Sequence, residues 1–388
     1  MKGQTSALVL STVSMIVCFA AWSVFPPIAG KIQEFYQLST TEKSILIAAP
    51  TLLGSVMRIP LGILTDRYGG RKVYVLTMLF LILPLLAAGF VNSYGPMLLC
   101  AFLIGMAGTT FAISITYVSG WYPPQKKGFI LGIAGMGNLG IAVANLTIPV
   151  MLNEFGISWV FWTLAIVTAM MALIFWMGTK DLPVSDQSEG LKESLSVVNR
   201  KETWLLSLFY FLTFGGFVSF SMYLPTFLKE LFHLTAVDAG LKTAVFVMIA
   251  TFIRPLGGYL SDRVGAEKVL TVVFSGIFIC TLFITYSTNH FVVFSVSCLI
   301  LSILLGTGNG AVFKLVPEVS PKHTGAVTGI VSAAGGIGGF FPPVVLGMIK
   351  DLTGDYLLGF LLLVGFSVVC LWMNRSQLSR RETRFGMR

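Results

Sequence analysis

Arg58-Ile-Pro-Leu-Gly62-Ile-Leu-Thr-Asp66-Arg67-Tyr-Gly69-Gly-Arg71-Lys72 and Arg254-Pro-Leu-Gly-Gly-Tyr-Leu-Ser-Asp262-Arg263-Val-Gly265-Ala-Glu-Lys268 are two copies of one pattern. In both, an arginine stands eight residues ahead of an Asp-Arg pair, and the copies are 196 residues apart throughout. Gly128-Phe-Ile-Leu-Gly132-Ile and Gly325-Ala-Val-Thr-Gly329-Ile repeat at nearly the same offset, 197. Such self-similarity marks a chain built from two equivalent units.

The sequence around these copies is strongly apolar. Of 388 residues, 55% are hydrophobic and only 11% charged, with a mean hydropathy of +0.84. A soluble domain carries about 25% charged residues, so a soluble enzyme, a nucleic-acid binder and a secreted disulfide scaffold are all excluded. A hydrocarbon layer ~30 Å thick takes ~20 apolar residues per helix. Twelve such spans are expected, near 6–29, 43–65, 73–92, 96–121, 128–151, 157–178, 204–228, 240–261, 268–289, 291–316, 324–349 and 355–374. The first is too long for a signal peptide and lacks a small-residue cleavage pattern, so it reads as a retained helix. Cys18, Cys100, Cys280, Cys298 and Cys370 lie singly in apolar spans and read as inert buried thiols. No nucleotide-binding loop, catalytic triad or metal cluster is present in the sequence, which predicts neither a chemical enzyme nor a cofactor.

Basic residues orient the spans. With both termini cytoplasmic, Lys31, Lys43, Lys229, Lys242 and Lys350 face outward and Arg58, Arg254 and Lys314 lie within spans, leaving eighteen of the 26 Lys and Arg on the inner side. The net charge of +9 thus needs no nucleic acid. The one long polar connection, 180–203, divides the chain into a six-helix bundle at 1–179 and another at 204–388 with a short basic tail. Residues 191–198 within it suit either a surface amphipathic helix or a plain linker.

Two parallel six-helix repeats are a transporter architecture. Gly62-x-x-x-Asp66-Arg67-x-Gly69-x-Arg71-Lys72 resembles the loop motif of the major facilitator superfamily, and the second copy sits where that family has one. The resemblance implies an all-α membrane protein with the major facilitator fold, twelve transmembrane helices in two pseudo-symmetric halves, acting as a monomer in the cell membrane. Asp66 and Asp262, with Arg67, Arg71 and Arg263, sit at the inner helix ends, where helix N-termini and neighbouring basic residues suit a conformational latch.

Arg58 and Arg254 carry the functional signal. Eight helical residues rise ~12 Å, which sets each guanidinium inside the ~30 Å core. A charge there costs at least ~2.5 kcal/mol, and no Asp or Glu lies at matching depth. The missing counter-charge is expected to be the substrate, and the planar guanidinium fork suits a planar oxyanion. Two glycine clusters flank the arginines: Gly135-Met-Gly137-Asn138-Leu-Gly140 and Gly335-Gly336-Ile-Gly338-Gly339. Glycine in membrane helices serves close backbone approach, and Asn138 is the one polar side chain in the first cluster.

These clusters and arginines make the chain resemble the nitrate/nitrite porter (NarK-type) family over nearly its whole length. The resemblance implies an anion bound by Arg58 and Arg254, assisted by Asn138 and walled by aromatics that map onto Tyr210 and Phe214, with Phe111 as a third wall. It implies nitrate or nitrite as substrate, either exchanged for one another or taken up with protons; cyanate or a short carboxylate is the alternative. A sensor without turnover would be expected to carry an appended polar domain. Lys314 has Glu318 four residues on, so it reads either as a local salt bridge or as a coupling residue.

Overall fold

The computed structural model describes residues 2–122, 130–181, 195–319 and 324–385. Every regular element among them is helical. Eleven helices are long and apolar enough to cross a membrane: Gly3–Tyr36, Gly70–Ala88, Tyr94–Trp121, Ile130–Phe155, Ile157–Gly178, Lys201–Phe232, Ala236–Val264, Ala266–Tyr286, Phe291–Val316, Gly329–Thr353 and Leu357–Ser376. The twelfth, span two, is divided into Thr40–Val56 and Arg58–Tyr68. Pro60, which has no N–H to give the Val56 carbonyl, lies at the break, while Pro255 beside Arg254 sits inside an unbroken helix. The ladder resumes on both sides of the break, with Met57 N–H donating to Leu53 O and Leu61 N–H to Met57 O. Span two therefore crosses as one bent rod, and Arg58 stands at the bend.

The first span runs further than its apolar core suggests. Ser23 and Val24 interrupt it, and Phe25–Tyr36 continues with Pro26 and Pro27 in its opening turn. Of the polar connection, 182–194 lies outside the described residues. Leu195–Asn199 forms a short 3-10 turn with Val197 buried.

The repeated motif ends each second span at a glycine with positive φ, Gly69 at 91° and Gly265 at 93°. L side chains are strained there, so the motif glycine is needed for the reversal into the next span. The reversals alternate, which places both termini at one end of the bundle. Contacts between loops agree: Gln4 Nε2 donates to Trp121 O, Tyr117 OH to Lys180 O, and Asn374 Nδ2 to Glu267 O.

Glycines let spans two and four, and their counterparts eight and ten, meet backbone to backbone. A Cβ on Gly105 would lie 2.4 Å from Pro50 O, and one on Gly54 would lie 2.6 Å from Gly105 O. In the second half a Cβ on Gly306 would lie 2.3 Å from Ala250 O, and one on Gly310 would lie 2.2 Å from Arg254 O. Trp22 closes the first crossing by donating its indole N–H to Pro50 O at 3.1 Å. Leu83, Met177 and Trp372, each more than two-thirds exposed, form part of an apolar perimeter, as a bundle solvated by lipid requires.

Gly105→Ala is expected to destabilise the purified protein by about 1–3 kcal/mol through overpacking, seen as a lower thermal midpoint in detergent. Gly62→Ala, with nothing within 4 Å, should leave the midpoint unchanged or raise it slightly.

Candidate functional site

Arg58 is 1% exposed and touches both halves of the chain. Its Nε donates to Gly108 O in span four at 3.2 Å, and its Nη1 donates to Ser332 O in span eleven at 2.9 Å. Its Nη2 has no hydrogen-bond partner. Arg254 sits in the unbroken eighth span, only partly buried, and its Nη2 donates to Tyr210 OH at 3.1 Å. Among the described residues, neither guanidinium has a carboxylate within salt-bridge distance.

Aromatic rings supply what carboxylates do not. The Phe111 ring lies 5.4 Å from Arg58 Cζ and 5.6 Å from Arg254 Cζ, so one ring faces both cations. Phe214 lies 5.4 Å from Arg58 and Phe313 lies 5.4 Å from Arg254. Each distance is within the ~6 Å range of cation–π attraction. Tyr210 and Phe214 stack with centroids 4.9 Å apart and planes 5° from parallel. Tyr210 precedes and Phe214 lies within Phe211–Gly215, a π-helical turn in span seven, a local widening that often sits at functional sites. Phe313 meets Tyr210 edge-on at 4.9 Å.

The seven signature glycines divide by what they face. A Cβ on Gly335 would strike the Tyr210 ring at 2.3 Å and reach Phe214 at 3.2 Å. One on Gly336 would lie 2.1 Å from Ser55 Oγ and 3.4 Å from Arg58 Nη1. These two glycines form the wall of the site. Gly137 and Gly140 instead pack on Met15 and the Ile16 carbonyl of span one, while Gly338 and Gly339 pack on Gly215 and Val218 of span seven. Gly135 faces open space. Asn138 ends the 3-10 turn Gly135–Asn138 and is buried; its amide donates to Gly135 O at 2.9 Å and its Oδ1 is unpartnered. It makes no side-chain hydrogen bond to either arginine in this conformation.

Phe313, Ser55 and the Gly108 and Ser332 carbonyls are site components that the sequence reading missed. Phe313 was within reach, since Gly108 and Phe111 recur as Gly310 and Phe313 at one offset of 202. The carbonyl acceptors carry no sequence signal.

The charged residues at the termini end lie apart from this site. Asp262 Oδ1 pairs with Lys314 Nζ at 2.6 Å, joining spans eight and ten. The Lys314 side chain is 42% exposed. The Asp66 and Glu318 side chains lie outside the described residues. Arg67 lies 5.5 Å from the ring of Tyr68, and Arg263 lies 4.8 Å from that of Tyr259. The Arg71 N–H donates to Asp181 Oδ1 at 2.7 Å, and its guanidinium donates to Trp176 O while stacking on the Trp176 ring at 3.8 Å. Asp181 thus caps the helix that starts after Gly69, a role with no sequence signal. Lys43, assigned from the sequence to the outer edge, is 2% exposed in the first turn of the helix Thr40–Val56. Among the described residues no group of His, Cys, Asp and Glu is arranged to hold a metal.

The model described as Major Facilitator Superfamily matches residues 11–343, with a second match over 243–382. The chain is 36% identical over 377 residues to a probable nitrate transporter NarT of Staphylococcus epidermidis, covering 96% of each. It is 36% identical over 375 residues to the nitrite extrusion protein of Bacillus subtilis, covering 95% of this chain and 94% of that one. It is 37% identical over 379 residues to a probable nitrate/nitrite transporter NarK2 of Mycobacterium tuberculosis, covering 95% of each. Among solved structures, a bacterial homolog of the human lysosomal transporter Spinster superposes with a TM-score of 0.74 at 18% identity, over 98% of this chain and 97% of that one. A mutant of the nucleoside transporter NupG superposes with a TM-score of 0.75 at 16% identity, over 95% and 99%. At these identities the structures share the fold alone.

Gly336→Ala should displace Ser55 and the Arg58 guanidinium and weaken binding of a planar oxyanion by roughly 10- to 100-fold, the equivalent of about 1–3 kcal/mol of overpacking. Gly329→Ala, with nothing within 4 Å, should change it less than about twofold. Titration calorimetry of the purified protein measures both.

Proposed function

The chain belongs to the nitrate/nitrite porter family of the major facilitator superfamily, and on that footing we propose that it carries nitrate and nitrite across the cell membrane by alternating access at the Arg58–Arg254 site. The observation that carries this reading is a pair of membrane-embedded guanidiniums with no carboxylate partner among the described residues, one of them with a bare Nη2, enclosed by Phe111, Tyr210, Phe214 and Phe313. Planar anions fit between flat rings and present in-plane oxygens to the guanidinium forks. Tetrahedral sulfate and phosphate are too thick for the same slot. Both arginines and all four rings come from one chain, which supports a monomer as the transport unit.

The cycle follows from charge. Without an anion, two cations, one fully and one partly buried, share the Phe111 ring, and breaking the bond from Arg58 to Ser332 O exposes a further unpaired donor. An anion supplies negative charge and acceptors, and lets the first six spans and the last six rock about the site. Carriers of this kind return loaded, so exchange of one anion for the other is the mode we infer. The Asp262–Lys314 ion pair supports it, because Lys314 already has a carboxylate partner near the membrane edge and is not left to carry protons. The bias of Lys and Arg supports cytoplasmic termini.

In proteoliposomes, nitrate uptake is expected to require internal nitrite or nitrate and to ignore a pH gradient. Uptake into empty vesicles driven by inward protons would replace exchange with symport, and no flux of either anion would shift the substrate to cyanate or a short carboxylate. Arg58→Lys and Arg254→Lys keep the charge but lose the fork, and each should lower flux at least about tenfold, roughly 1.4 kcal/mol. Arg58→Lys retaining full uptake would remove the bidentate geometry from the account.

A further inference from the structure

A second buried charge on span two lies far from the anion site. Lys43 is fifteen residues ahead of Arg58, about 22 Å along a helix, at the end of the bundle opposite the termini. Its ammonium donates to Glu230 Oε1, from span seven in the other half of the chain. The second carboxylate oxygen of Glu230 accepts the Tyr356 hydroxyl at 2.6 Å. Burial first, then neighbouring Tyr223 and Glu230, push the Tyr356 phenol above its usual value, so it stays a donor. Beside the pair, Ser44 Oγ and Tyr223 OH lie 2.8 Å apart and the Thr41 N–H donates to Asp351 Oδ2 at 2.8 Å. Among the described residues, side-chain hydrogen bonds and ion pairs between the halves occur only here and at Arg58. Those named at the termini end join elements of one half.

We propose that Lys43 and Glu230 are residues of the transport cycle, the charged latch that holds the carrier sealed at the end opposite the termini and must part before that end opens. The proposal rests on the alternating-access reading but on no particular substrate. The two partners are unequal: the Lys43 side chain is 3% exposed and that of Glu230 is 32%. Removing Glu230 strands a buried ammonium in the sealed state, the costly way to break such a pair. Removing Lys43 leaves a carboxylate that keeps Tyr356 and reaches water in the adjoining cleft of about 490 Å³, which costs little. A latch of this build opens when the acid is lost, holds when the base is lost, and holds again when both are neutral. A generic packing contact loosens in all three cases.

Thr226, 6% exposed and lining that cleft, is the reporter. In detergent-solubilised full-length Thr226→Cys protein, with no substrate present, the rate of labelling by a charged maleimide reads opening of this end, the five native thiols being buried. Adding Glu230→Gln should raise the rate at least about tenfold, adding Lys43→Met less than about threefold, and adding both should return it to within about threefold of the parent. If Glu230→Gln alone gives no folded protein, recovery of folded protein by Lys43→Met is the same result. No rise with Glu230→Gln, equal rises with both single changes, or no recovery in the double variant would each overturn the latch. None of these readings depends on whether nitrate is the cargo.

Discussion

Everything at the centre of this protein is arranged around the Arg58 guanidinium. It is buried in a bundle whose surroundings are hydrocarbon, and it is satisfied by two backbone carbonyls from opposite halves of the chain rather than by an acid. A carboxylate partner would neutralise it permanently and leave nothing for a ligand to do. Carbonyl dipoles and ring faces hold the cation in place while leaving its charge uncompensated, and the unpartnered Nη2 is the remainder of that balance. Span two bends at Met57 immediately before this residue, and glycines at the crossing of spans two and four bring the Gly108 carbonyl within its reach.

The two arginines are equivalent in the repeat and unequal in the structure. Arg58 follows a helix break and is gripped by spans four and eleven, whereas Arg254 lies in a continuous helix, partly buried, and holds the Tyr210 hydroxyl by one bond. One is an anchor between the halves and the other is an adjustable arm beside a π turn. At the proposed site an anion would meet a fixed cation and a yielding one, which suits a site that has to close around cargo and then release it.

Much of this was legible in the chain itself. The repeat and the spacing of Arg to Asp-Arg give the architecture, and the cost of a charge at mid-membrane singles out Arg58 and Arg254 without any structure. Pro60 marks a carbonyl of span two that loses its donor, but Pro255 does the same in the unbroken eighth span, so the break itself carries no sequence signal. Other features are not local. The signature glycines look alike in sequence, yet only Gly335 and Gly336 face Tyr210, Phe214 and Arg58, while Gly137, Gly140, Gly338 and Gly339 serve helix packing and Gly135 faces open space. The burial of Lys43 is not local either, because its partner Glu230 comes from span seven. The π turn at Phe211–Gly215 has no composition of its own, and Asp181 becomes a helix cap only because Gly69 leaves room for it.

The glycine wall limits how such a site can change its taste in ligands. One side of the slot is bare backbone at Gly335 and Gly336, in contact with the rings and the guanidinium. No atom remains there to be trimmed, and no added atom finds room. A carrier of this design can accept a bulkier ion only by whittling Phe111, Tyr210, Phe214 or Phe313, and each cut removes a ring face or, at Tyr210, a hydroxyl that steadies the cations. Size tolerance and charge stability are therefore set by the same four rings, and neither can be tuned alone.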